Sequence, residues 1–463
     1  MGASLHDGRP VGGAVAPPSG AGAPSPSHPT GRLVLVLLAL APFDGLDIVL
    51  PLPAALGAWK QGLLALIVAS TLLAARPSHG VAATDERGRR TIPASIVACV
   101  ALLALAVGWF AVRPSGAGLL GLRANWLWVL LPLAIWARPL SARQRDRLVG
   151  IVLVTTLVTA AVGLVQQAVG PEALHRLGYE WNEHLRFAGG RFRSISTFNQ
   201  PFPFAYHLAT GLLVVLPVAL AEPWRRRHRL FLLASPLVVL AMLTTVVRGA
   251  LVMSLVGLVA MVLLGERRVL LVLAPAVVVA AAGLAVARPF TSTTSLETRA
   301  STWSGDVPEL VDRPLGQGLD ASGVVAQARF VDEGLPYDDY TFSRGRESER
   351  LQPDSQFVVT GLTLGAPALV GLVVVLVGAA ARARRASRDP DERPRDVALA
   401  VGLASAVVGA GAAMTVSTYL EVFPSNAEFW ILIGVLACTT SSSKPWRSAR
   451  AAVAGSRRTC ASS

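Results

Sequence analysis

Charge is scarce in this chain. Only 15% of its 463 residues are Asp, Glu, Lys or Arg, against about 25% in an ordinary soluble domain, so a fully solvated globular surface is excluded. Cysteine is scarcer still, with three residues: Cys99 and Cys438 in apolar stretches and Cys460 in a basic tail. None falls in a segment expected outside a membrane, which excludes an external disulfide framework. Lysine is almost missing, because forty of the 42 basic residues are Arg and only Lys60 and Lys444 are Lys. Arginine identity at any one position therefore carries little information, and its placement carries the argument. The basic residues form no single patch or stripe, which excludes a nucleic-acid surface despite the net charge of +13. His175, His184 and His207 are too widely spaced for a metal pattern and are expected to be structural. No internal repeat supports an inverted-repeat transporter.

What is present is apolar sequence in blocks of about 17 to 25 residues, enough for a helix to cross roughly 30 Å of hydrocarbon. Mean hydropathy is +0.52. The fold class expected is an all-α polytopic membrane protein with about twelve spans. They fall near 33–50, 60–75, 92–112, 119–137, 148–169, 203–221, 230–247, 249–265, 269–287, 356–380, 397–419 and 427–440. With the N-terminus inside, the segments on that side hold 27 of the 42 basic and 10 of the 29 acidic residues, leaving 15 basic and 19 acidic opposite. Basic loops stay cytoplasmic, so both termini are expected in the cytoplasm, in the cytoplasmic membrane of a cell. Residues 1–31, rich in Pro, Gly, Ser and Ala, read as a disordered tail without the basic start of a signal peptide. The transmembrane domain is 32–440 and the basic cytoplasmic tail 441–463. Two longer loops, 170–202 and 288–355, both fall on the outer side, the second between spans nine and ten. Such loops usually carry function, and these are expected to build the working face.

Three stretches on that face carry the chemistry. From 230 to 265 the only charge is Arg248. As one helix this run would be about 54 Å long, so it is expected to break at Arg248-Gly249 into two spans. Arg248 then sits at an external hairpin tip, either as an interface marker or as a functional cation. The stretch "RFAGGRFRSISTFNQPFPFAYH" (186–207) carries Arg186, Arg191 and Arg193 among glycines ahead of a helix start, a pattern suited to phosphate or to lipid headgroups. The third runs from "ETRASTWSGDVPELVDRPLGQGLDASG" (297–323) to "LQPDSQFVVTGLTLGAPALVG" (351–371). Asp354 stands there at an external helix start, as an N-cap or as an ionised carboxylate favoured by the dipole.

In this order these pieces resemble the O-antigen ligase and polymerase family. "RSISTFNQPFPFA" resembles its arginine-bearing loop, and "VVRGALVMSLVGL" its Ser-Arg-Gly-Ala hairpin with Val247 at the serine. "RASTWSGDVPELVDRPLGQGLDASG" resembles its Arg…Trp…Pro-Leu-x-Gly-x-Gly segment, and "DSQFVVTGLTLG" the segment that often begins His-Asn. The likeness covers roughly 186–371. It implies a glycosyltransferase of the GT-C type that needs neither metal nor cofactor. The implied partners are a polyprenyl-diphosphate-linked oligosaccharide donor, a glycan or glycolipid acceptor and the lipid bilayer. Arg193, Arg248 and Arg299 then match the diphosphate-binding positions, with Arg191 as a helper. Asp354 stands where the ligases carry the histidine base, and Ser355 replaces Asn. That departure fits a polymerase, or a ligase acting on another surface glycan. A transporter or flippase for such lipids is the alternative.

Overall fold

The computed structural model describes residues 28–50, 58–74, 83–84, 90–182, 184–271, 308, 310–323, 325–326, 353–390 and 392–439. It is mostly helical (77%). In chain order the longer helices are α1 Pro29–Leu40, α2 Trp59–Leu73, α3 Ala94–Val112, α4 Gly116–Gly121, α5 Leu130–Ala137, α6 Ala142–Val169 and α7 Pro171–Arg176. They continue with α8 Pro201–Ala221, α9 Arg226–Thr244, α10 Arg248–Leu263, α11 Gln356–Leu364, α12 Ala366–Arg388, α13 Pro394–Ala413 and α14 Ser425–Cys438. Seven stretches among the described residues are long and apolar enough to cross a membrane, and α2, α10 and α14 are shorter apolar helices. The expected ninth span, 269–287, lies almost wholly outside the described residues.

The outer faces of these helices are oily. Leu233, Leu263 and Leu72 are 79%, 79% and 77% exposed, far more apolar surface than water would cover cheaply. A lipid bilayer is the solvent that suits them, and the chain reads as a membrane protein.

Packing is graded from centre to rim. In α8 89% of the apolar window is buried and in α13 78%, against 33% in α3 and in α12. α8 and α13 therefore form the axis of the bundle, with α10 against both. Small residues allow the close approach that helix association in lipid favours. Gly402 of α13 faces the main chain of Leu213 and Val214 in α8, and Gly409 faces the main chain of Met253 in α10.

One end of the bundle is knotted by ions. Asp146 near the start of α6 accepts from Arg225, Arg227 and Arg395, and Glu222 pairs with Arg225 at 2.9 Å and with Arg395 at 3.5 Å. The other end carries the irregular structure, including a short hairpin of Phe187–Ala188 with Arg191–Phe192. One expected span departs from a simple rod. The stretch 356–380 is broken at Gly365, whose φ of +82° is open to glycine at little cost.

Candidate functional site

The loop that carries Arg193 is held by two glutamines at the last turn of α6. Gln166 accepts from the Ile195 and Ser196 amides through Oε1 and donates through Nε2 to the Ser196 carbonyl at 2.8 Å. Gln167 donates to the Phe192 carbonyl at 3.0 Å and to Ser194 Oγ at 2.8 Å. These amides are buried in an apolar bundle, so each satisfied bond also avoids the penalty of an orphaned polar group. On its far side the loop meets the turn between α9 and α10. Ser194 N donates to the Thr244 carbonyl, Thr244 Oγ1 donates to Ser194 Oγ, and Arg193 Nε donates to the Thr245 carbonyl at 2.8 Å.

The α9–α10 break falls where the length argument put it. Thr244 ends α9, Arg248 opens α10, and Val246 between them has φ +53°. A β-branched residue in that region is strained by about 1–3 kcal/mol and marks an over-determined backbone. Thr245 holds the bend by donating through Oγ1 to the Met242 carbonyl and accepting there from the Val247 amide. Arg248 is half-buried as the first residue of α10, so its guanidinium adds to the positive end of the helix.

Arg193 is also half-buried, with its guanidinium 4.8 Å from the Phe202 ring centroid. Burial chiefly, with Arg186 nearby and Tyr206 opposing, lowers its pKa to about 10. It remains a cation at neutral pH, incompletely hydrated and without an acidic side chain to absorb its charge. That is the state of a group prepared for an anion.

Asp354 is exposed ahead of α11, while Ser355 and Gln356 behind it are buried. The N-cap is Ser355, whose side chain makes no cap bond and instead donates to the Met414 carbonyl at 3.2 Å. Gln356 N donates to the carbonyls of Met414 and Ser417, and Gln356 Oε1 accepts from Leu420 N at 2.8 Å. The start of α11 is thereby stitched to the turn after α13.

Tyr206 of α8 joins the two halves. Its hydroxyl donates to Ser417 Oγ at 2.6 Å, and a Cβ placed on Gly249 would lie 2.4 Å from that hydroxyl. Only glycine next to Arg248 lets the hairpin close on the tyrosine. The structure thus brings Arg193 and the Arg248 hairpin into direct contact. Asp354 joins them through Gln356, Ser417 and Tyr206. Arg191 is exposed on the hairpin strand two residues before Arg193, and Arg299 lies outside the described residues.

The "RPLGQGLD" stretch has a structural assignment of its own. Gln317 N and Gly318 N donate to the carbonyls of Leu362 and Thr363, and Ala366 N donates to the Pro314 carbonyl at 2.7 Å. Gly316, with φ +84°, sits so close that a Cβ would be 2.6 Å from Gly365 N. Its glycines seat main chain on the broken helix. Trp109, Arg113 and Ser115 hold the same stretch from α3 and α4 by bonds to Leu315, Gln317 and Asp320.

Sequence reasoning missed a buried ionisable pair. His207 Nδ1 and Glu428 Oε1 are 2.6 Å apart, each side chain 2% exposed, between α8 and α14. His207 was read as a lone outer residue. The signal available was Glu428 itself, an acid inside an otherwise apolar run. His175 and His184 bond locally within the 175–184 turn. Among the described residues no three of His, Cys, Asp and Glu come together as a metal group. No protein-family model matches the chain, and no curated protein sequence matches it.

Proposed function

We propose that the chain is a membrane glycosyltransferase of the O-antigen ligase and polymerase type. It uses a polyprenyl-diphosphate-linked oligosaccharide as donor and a glycan or glycolipid as acceptor. The observation that carries this reading is the fastening of Arg193 to the Thr245 carbonyl, which puts an under-hydrated cation against the turn that opens at Arg248. The reading includes twelve spans, both termini in the cytoplasm and a reaction on the outer face of the cytoplasmic membrane. The bias of 27 of 42 basic residues to one set of loops supports that orientation.

In this mechanism the acceptor hydroxyl attacks the anomeric carbon of the donor. The C–O bond to the diphosphate breaks, and its electron pair goes to the leaving phosphate oxygen. Arg193 and Arg248, with Arg299 and Arg191 as further donors, meet the charge developing there. Asp354, exposed at the start of α11, takes the hydroxyl proton. The guanidinium groups supply the positive charge, so the step requires no metal.

The test is transfer of a lipid-linked glycan in liposomes by the purified chain and by single Ala variants of Arg193, Arg248, Arg299 and Asp354. Each substitution should lower the rate about 100-fold or more. Wild-type rates in all four, at normal expression, would remove the enzyme reading. One observation favours the transporter alternative, namely the His207–Glu428 pair buried among apolar helices. Glycan-lipid translocation without transfer in the same liposomes would select it.

A further inference from the structure

α12 is apolar from its start at Ala366, and its first charged residue is Arg382. On a helix that crosses a bilayer, this is the level where hydrocarbon gives way to headgroups. Arg382 nevertheless does not reach out to water. It is 8% exposed, and its Nε has no hydrogen-bond partner. It lines a one-sided crevice of about 180 Å³ whose other walls include Ser95, Gly378, Ile433 and Leu436. Ser95 is in the first turn of α3 and Leu436 in the last turn of α14. Three helix ends thus meet at one depth, and the crevice opens there.

The charges around it lack an anion. Arg385 lies one turn further along the same face of α12, while Arg384 and Arg388 are exposed. Like charges at this spacing repel. The acid acting on Arg382 is Glu392, whose pKa is pushed up by burial and then by Asp396 and Asp389. Arg145 occupies Asp396 at 3.4 Å. A buried guanidinium with an unmet donor costs several kcal/mol, and a phosphate removes that cost with charge-assisted bonds. Basic pockets between helices at headgroup level suit such groups.

We infer that the crevice between α3, α12 and α14 seats the phosphate of an anionic phospholipid, with Arg382 inside and Arg385 at the mouth. Ile433 and Leu436 meet the apolar part of the lipid next to the headgroup. The assignment is independent of the transfer chemistry.

Native mass spectrometry of the purified full chain, given equal amounts of phosphatidylglycerol and phosphatidylcholine, tests it. The wild-type chain should retain one phosphatidylglycerol in preference. Arg382→Met, which keeps side-chain volume and removes the buried charge, should lower that preference about tenfold. Gly378→Leu fills the crevice while keeping Arg382, and should do the same. Arg384→Gln, an exposed position on the same helix, should leave it unchanged. Equal retention in wild type and Arg382→Met overturns the assignment, and that comparison decides even if Gly378→Leu does not fold. Displacement of the lipid by inorganic phosphate alone, as readily as by short-chain phosphatidylglycerol, overturns the lipid source in favour of free phosphate.

Discussion

The Nε of Arg193 donates to the carbonyl of Thr245 across 2.8 Å, so the loop before α8 and the turn before α10 move as one unit. A side chain that looks like a free cation in the sequence is half anchor. Arg193→Lys keeps the charge but loses the planar fork. It should cost about 1–2 kcal/mol of stability and lower transfer more than it lowers donor binding. Thermal unfolding in detergent and a separation of kcat from KM measure the two effects.

Gly249 and Tyr206 should behave as a coupled pair. Gly249→Ala forces a Cβ toward the Tyr206 hydroxyl, 2.4 Å away, and should destabilise by about 1–3 kcal/mol. Tyr206→Phe alone loses the 2.6 Å bond to Ser417, worth about 1 kcal/mol. The double variant should be less damaged than the sum, because removing the oxygen relieves the clash. A double-mutant cycle on unfolding free energies detects the coupling, and strict additivity would show that the two residues do not meet.

Activity should respond to alkaline pH through Arg193. Its pKa is lowered to about 10, so the folded chain holds its proton at pH 7 to 9 and gives it up as pH rises through about 10. Donor binding should therefore be flat across pH 7 to 9 and fall near 10. For stability the sign is opposite. Above about 10 the folded state binds fewer protons than the unfolded state, so this group's destabilising contribution fades as pH rises. Titration of donor affinity in wild type and Arg193→Lys separates this group from others.

The His207–Glu428 pair should tolerate loss of charge better than loss of a partner. Glu428→Gln keeps a polar atom opposite His207 Nδ1, whereas Glu428→Ala leaves a buried imidazole alone. Breaking such a pair costs about 3–5 kcal/mol, so the alanine variant should unfold well below the glutamine variant in a thermal scan.

Much of the helix pattern was legible because lipid demands long apolar runs, and the hairpin at Arg248 followed from length alone. The rest depended on contacts distant in sequence. Nothing near Tyr206 announces Ser417, 211 positions away, and nothing near Gly316 announces Gly365. Those glycines were read as part of a resemblance, and their physical role appeared only with the main chain around them. Gly365 looked like one small residue inside a continuous span, because an apolar run does not reveal where its helix is interrupted. His207 and Glu428 were each visible, but their pairing needed the crossing of α8 and α14.

The seat of "PLGQG" on the broken helix bears on how the outer face can open. The carbonyls of Leu362 and Thr363 and the amide of Ala366 are completed by Gln317, Gly318 and Pro314. In lipid, each such group left without a partner costs several kcal/mol. Residues 314–318 therefore cannot swing away as a lid while α11 and α12 keep their places. Any gate for a substrate must hinge elsewhere, with this stretch serving as its fixed jamb.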